Sequence, residues 1–592
     1  MKKICLVTTA LENSEIEGEN IYLGNWCKDE DYKIINQKVV PYHWDDRHKL
    51  EKDNLYINRL YEKILTELTI LLNKTHKKKH SKEYWRFVAG YWLFLFLSSM
   101  FDKWESIDKA FNFFKEINYT KNFKFLNKQY PVSKTTKEFA NLCSDTKWNH
   151  LIFSEMINFL TKKKNINIEK KEVTYEKDDF YFDHKSNYKN EFKKKIIHIY
   201  NKLTKIIRRS NKVVIYQSNI GLLNELKLNL KFNQLPIFFN DHNFDSKIDH
   251  TLRNDLELDI ETTNYFEEFI KKFIFKNIPK EFIENYQKID SYIESLNLPD
   301  NPKVILSTTI LLKENTFSRY CAQKKELGTR LVYCQHGGVY GHAKYTWAED
   351  HEITLSNEYL SWGWTDKGNK KIKKFGIIKD IEKFKFKKIN KINSAAYFLR
   401  SRPKHVHRID SSSGTNQMSK YYLNSLNFFK QKEKMRMKLK IIPRFHEAMF
   451  SWNHLEIWDK KLESKLEKKL TFDESLVEVY EKYDIIIYSY IGTGFLESLA
   501  VDKPFILVSS LNEWPLRENV IDDFTHLKKA KIFFENNEDA LEHLNSIVDN
   551  PLNWWNSELT RNVKNDFKKK YAIKLTNKTK IAELKKILKN YI

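Results

Sequence analysis

The sequence predicts an α/β protein with a helical insertion in its N-terminal half, and three observations carry that class. Leu331-Val332-Tyr333-Cys334 is an apolar run that stops at Gln335-His336 and the glycines Gly337 and Gly338, the pattern of a buried strand ending in a loop. Ile485-Ile486-Ile487-Tyr488 is a second such strand, which runs through Ile491-Gly492-Thr493-Gly494 into an amphipathic helix with Leu496, Leu499 and Ala500. Around both, short β-branched runs alternate with helical patterns: 213–216 and 304–309 in one half, 395–399, 438–443 and 505–508 in the other. That alternation implies two Rossmann-like domains facing each other across a cleft.

The 592 residues are too many for one core, and the 41% apolar and 14% aromatic content excludes a disordered chain. The net charge of +24 favours anionic partners such as nucleotide-sugars, a lipid surface or nucleic acid. The lysines are spread along the whole chain without an RNP, zinc-finger or helix-turn-helix pattern, so a nucleic-acid-binding role ranks last. Cys5, Cys27, Cys143, Cys321 and Cys334 have no metal-ligand spacing, so a reduced, cytosolic chain without structural zinc is expected. Residues 1–15 begin like a leader but turn polar and acidic early, and read better as a first strand at 4–8.

In chain order, Tyr22-Leu23-Gly24-Asn25-Trp26-Cys27 precedes a short strand and the segment Pro41-Tyr42-His43-Trp44-Asp45-Asp46-Arg47-His48. Aromatics interleaved with charges there suit the wall of a cleft. Helical periodicity then opens an insertion over about 54–200. Its stretch 87–101 carries no charge, is shorter than the roughly 20 residues that span a bilayer, and reads as a buried helix or one dipping into the membrane interface. A lysine-rich linker is expected at 367–391. It separates an N-terminal domain, 1–375, from a C-terminal domain, 392–570, followed by a terminal helix, 571–592.

The chemistry concentrates at the two glycine turns. A histidine at a strand end can serve as acid, base or phosphate partner, which makes His336 the first catalytic candidate, with Gln335 and Gly337 beside it. Gly492, Thr493 and Gly494 open a helix, where free N–H groups and the positive dipole end bind phosphate. Tyr490 and Glu497 flank them, and Arg444 and His446 at a neighbouring strand end add charge. Asp45 or Asp46 is the candidate base for an acceptor hydroxyl, with His43, Trp44 and Arg47 contacting that acceptor. No DxD pair stands out, and neither a metal nor a resident cofactor is expected.

These motifs, in the order YLGNWC, PYHWDDR, QHGGVYG, Glu349–Glu352, WGW and GTGFLESLA, resemble a family of transferases from bacterial O-antigen and capsule gene clusters. The resemblance runs from Tyr22 to Trp555. Arg444-Phe445-His446-Glu447 stands where an Arg…His-Asp-Tyr-Gly-Trp element is usual, and Gly492-Thr493-Gly494 replaces Gly-Thr-Thr. The resemblance implies a GT-B glycosyltransferase that uses a nucleotide-sugar and acts on a glycan or lipid-linked glycan. Resemblance to sialyl- and Kdo-type transferases points to a CMP-activated nonulosonic or similar acidic sugar. A CDP-glycerol-type polyol-phosphate transferase is the alternative. Peripheral attachment to an anionic membrane surface is expected.

Overall fold

Among the described residues, fifteen strands form three five-stranded sheets, and every neighbouring pair is parallel. The structure is a computed structural model. It describes the chain outside residues 1, 13–17, 29–33, 35–36, 126–129, 176–195, 198, 201–202, 239–241, 243, 314, 385–388, 413, 446–451 and 464–473. The first sheet comprises β1 (Ile4–Val7), β2 (Glu19–Tyr22), β3 (Lys38–Val39), β4 (Tyr119–Phe123) and β5 (Glu169–Val173). The second has β6 (Val213–Ile215), β7 (Val304–Ser307), β8 (Arg330–Cys334), β9 (Glu358–Ser361) and β10 (Ile372–Lys374). The third has β11 (Ser394–Phe398), β12 (Lys440–Arg444), β13 (Ile485–Tyr488), β14 (Phe505–Val508) and β15 (Phe533–Phe534).

The central strands are uninterrupted apolar runs because helices cover both sheet faces. VILS in β7, IIIY in β13 and FILV in β14 are buried at every position. Strand order is β10-β9-β8-β7-β6 in the second sheet, without reversal, and β12-β11-β13-β14-β15 in the third. The third sheet therefore reverses between β11 and β13, and the crevice beyond such a reversal is where open α/β sheets bind ligands.

The N-terminal half departs from the expected single sheet. β1 does not join the sheet of β8, and the stretch read as a helical insertion contains β4 and β5, which pair with β1 and with each other. β5 is Glu-Lys-Lys-Glu-Val with four exposed positions, so no apolar alternation marks it as a strand. Helices Arg47–His76 and Lys82–Phe113 also belong to this unit. Of the two readings of 87–101, the buried one holds. Phe94 stacks on Trp347 with ring centroids 4.2 Å apart, and Trp92 to Leu97 are wholly inaccessible. Among the described residues, no helix is long and apolar enough to cross a membrane. The final helix, Asn577–Lys589, returns to the second sheet, where Ile581, Leu584 and Leu588 pack with Val213, Ile215 and Leu306.

Loops from the three sheets meet at one centre. Ala343 and Leu516 form an antiparallel bridge between the second and third units, and Ser411 and Tyr345 exchange hydrogen bonds. The first unit joins through the Asn25 amide, which donates to Asn416 Oδ1 at 2.8 Å, and through Gln417 Nε2, which donates to the Trp44 carbonyl at 2.8 Å.

Candidate active site

The two glycine turns, 155 residues apart in sequence, touch. The Gly338 amide donates to the Thr493 hydroxyl at 2.5 Å. A Cβ added at Gly337, whose φ is +147°, would lie 2.8 Å from Thr493 Oγ1, so the contact needs glycine there. Thr493 opens the helix Thr493–Val501, whose N-cap, Gly492, has no side chain to offer the first amides. Gly492 itself lies flat against the Tyr490 ring, where an added Cβ would fall 2.4 Å from the ring edge.

His336 is oriented from behind. Its Nδ1 faces Glu352 Oε1 at 3.4 Å, and its ring meets Tyr340 edge-on with centroids 5.4 Å apart. The Glu352 carboxylate is inaccessible and accepts from the Tyr340 hydroxyl at 3.1 Å and the Tyr359 hydroxyl at 3.3 Å. Burial pushes its pKa well above the usual carboxylate range, despite the two hydroxyls that oppose the shift. The carboxyl stands behind the ring, and Nε2 lies on the opposite edge. The loop is braced further on. The Gly341 amide donates to Glu349 Oε2 at 2.8 Å, and Glu349 pairs with Arg517 of the third unit at 2.5 Å.

Facing these turns is a cluster at the end of β11 that the sequence reading passed over. Arg402 Nη2 bonds Asp410 Oδ2 at 2.6 Å, Arg408 Nε reaches the same oxygen at 3.3 Å, and Arg400 Nη2 donates to Ser412 Oγ. Burial alone would raise Asp410, but Arg402, Arg408 and Arg400 hold it well below the usual range, so it stays ionised. Burial and then Arg402 depress Arg400 to about 9, which still leaves a cation at neutral pH. Three guanidiniums gather around the Asp410 carboxylate at the reversal of the third sheet. Arg400 lies 4.5 Å over the Trp514 ring, and Trp514 stacks near Tyr490. A sequence signal existed: only fifteen arginines occur in the chain, and three of them fall within 400–408, directly after a strand.

The other anticipated residues divide by location. Gln335 is inaccessible, and its side-chain carbonyl accepts from the Trp362 amide and the Trp364 indole, both at 2.9 Å; it pins the WGW turn. Glu497 is held by Lys379 at 2.6 Å. Arg444, at the end of β12, lies over Phe398 and donates to the Glu474 carbonyl. His446 lies outside the described residues.

The segment expected to supply a base and acceptor contacts instead clamps the first unit to the third. Asp46 caps the helix Arg47–His76, accepting from the His48 and Lys49 amides. Asp45 pairs with Lys420 at 2.7 Å. Arg47 donates to the Asn512 and Glu513 carbonyls at 2.9 and 2.8 Å. His43 and Trp44 are buried, on Asp102 at 3.2 Å and Asp53 at 2.9 Å respectively. A cleft elsewhere, lined by Tyr130, His250 and Arg253, has its guanidinium already occupied by Glu284 in a two-point pair. Among the described residues, no three His, Cys, Asp or Glu side chains are grouped as metal ligands would be.

The model of the LIC12162 family transferases matches residues 4–588. The chain belongs to that family. No curated protein matches it. Among solved structures, this family member is similar to the S. aureus MnaA–UDP co-structure, with 11% identity, a TM-score of 0.33, and 65% of this chain and 98% of that one covered. It is also similar to a putative UDP-N-acetylglucosamine 2-epimerase from Listeria monocytogenes, with 10% identity, a TM-score of 0.34, and 64% and 98% covered.

Proposed function

We propose that the chain is a GT-B-type glycosyltransferase that moves a sugar from a nucleotide donor onto a bacterial surface-glycan acceptor. What supports the reading is that three anion-binding devices and one acid–base group lie on loops that contact one another. The N-terminus of the helix Thr493–Val501 supplies amides, the Thr493 hydroxyl has a proton to donate, and Arg400, Arg402 and Arg408 supply positive charge. His336, backed by Glu352, stands beside them. Phosphoryl leaving groups are stabilised by such preorganised donors, and the histidine transfers the proton that glycosyl transfer requires.

A CMP-activated acidic sugar fits the sign of the charge. Its phosphodiester and its carboxylate are both anionic, and the loop after β11 gathers three guanidiniums. The acceptor is a glycan or lipid-linked glycan. Thermal unfolding with CMP, CDP, UDP and GDP tests the reading, because a nucleotide at a hundredfold its Kd adds about 2.7 kcal/mol. A shift with CMP or a CMP-sugar supports it. Stabilisation by CDP-glycerol instead would move it to polyol-phosphate transfer, and no shift with any nucleotide would remove it. His336→Ala is expected to abolish transfer with the fold intact. Loss of unfolding temperature with activity retained per folded molecule would make His336 structural.

A further inference from the structure

The helix Leu222–Leu230 turns the wrong side outward for a soluble surface. Leu222, Leu223, Leu226 and Leu230 are 78, 74, 41 and 56% exposed, while Asn224 and Asn229 face inward. Just before β6, Ile196, Ile199, Leu203 and Ile207 recur at helical spacing and are 52 to 79% exposed. Both segments flank β6, the edge strand of the second sheet. The chain beyond the helix folds back on the chain before β6: the Tyr200 hydroxyl donates to the Pro236 carbonyl at 2.8 Å, and Asn211 Nδ2 to that of Leu235 at 3.0 Å. Among the described residues, seventeen large hydrophobic side chains stand exposed, and eight of them fall within 196–230. Scattered exposed leucines are ordinary, but this concentration marks a contact surface.

Charge says which partner. Among the described side chains of 196–231, Arg209, Lys212, Lys227 and Lys231 are exposed cations, Arg208 is buried, and Glu225 is the one acid. The single acid, Glu225, is turned onto the Ser218 hydroxyl at 2.7 Å, and burial raises its pKa. Lys212, Lys227 and Lys231 are exposed beside the leucines. Two copies of this face would repel each other, whereas an anionic bilayer satisfies both its apolar side chains and its cations.

We propose that this face docks the chain reversibly onto an anionic lipid surface. The attachment is independent of donor chemistry and replaces 87–101, which is buried, as the membrane-facing element.

Sedimentation of the full chain with phosphatidylcholine vesicles, with and without phosphatidylglycerol, tests it. The wild type should pellet with the anionic vesicles and be largely released at 1 M salt, where the Debye length is about 3 Å. Lys227→Gln with Lys231→Gln should weaken partition about 25-fold, roughly fivefold per charge. Leu223→Gln with Leu226→Gln should weaken it at least as much. Both double variants should keep the wild-type unfolding temperature and nucleotide response, which separates failure of docking from failure of the transferase reading. No pelleting, equal pelleting with neutral vesicles, or variants that pellet like the wild type would overturn the proposal. So would a dimer in light scattering that the leucine variants convert to monomer, since a second copy would then cover the face.

Discussion

Gly337 is the residue on which the contact between the two turns depends. Gly337→Ala would place a methyl 2.8 Å from Thr493 Oγ1 and force an L-residue to φ +147°, so the turns must separate. Activity is expected to fall at least tenfold. Gly328→Ala is the control, because its φ of +94° is also unfavourable but no atom lies within 4 Å of the added carbon. That variant should lose about 1–2 kcal/mol of stability and keep full activity. Equal losses of activity in both would show that strain, not separation of the turns, is what matters. Thr493→Val removes the acceptor of the Gly338 amide and the hydroxyl proposed to meet phosphate. Nucleotide affinity should fall by roughly 1–3 kcal/mol, and calorimetry showing unchanged affinity would place the donor elsewhere. His336, Gly337 and Thr493 were all legible in the sequence, because a glycine or hydroxyl after an apolar run has a local meaning. Glu352 was quoted within a motif but given no role. Nothing local shows that a carboxylate sixteen residues on will fold back behind the histidine.

Among the elements, the helix Arg47–His76 decides between two readings of one aspartate. Asp46 accepts from the His48 and Lys49 amides, the geometry of an N-cap. Asp46→Ala is therefore expected to cost about 1 kcal/mol of stability with kcat unchanged once the protein is folded. Collapse of kcat at normal stability would restore the aspartate as a base. The sequence suggested a cleft wall because charges and rings alternate at 41–48, and they do line a boundary, the one between the first and third units. The same ambiguity did not affect 87–101, where a run without charge could only be buried or lipid-facing. The 400–410 loop was missed for the opposite reason. Its arginines act together only once Asp410 folds between them, and no periodicity encodes that.

For the molecule as a whole, the parallel α/β class was legible and the number of sheets was not, because β4 and β5 carry polar and charged residues at a strand's spacing. Buried histidines give a second property of the whole. Burial pulls His342, His351 and His454 down to about 3, and His76 and His543 to about 4. Each is depressed below its unfolded value of about 6.5, so its contribution to stability is present above that pH and lost as pH falls towards 4. The loss is about 1.4 kcal/mol per histidine per pH unit, partly offset by Glu352 and Glu349, whose raised values act in the opposite sense. Thermal unfolding should drop by several degrees between pH 7 and pH 5.5. A flat profile would mean that these rings are hydrated or paired in solution.

The arginine cluster bears most directly on where the nucleotide sits. Calorimetric titration of CMP and the nucleoside diphosphates should be run on the wild type, Arg402→Gln and Asp46→Ala, each checked for an intact fold by its unfolding transition. Arg402→Gln should lower affinity for the bound nucleotide at least tenfold, and Asp46→Ala should leave it unchanged. Unaltered binding by Arg402→Gln, or a loss confined to Asp46→Ala, would contradict a donor site between the second and third sheets.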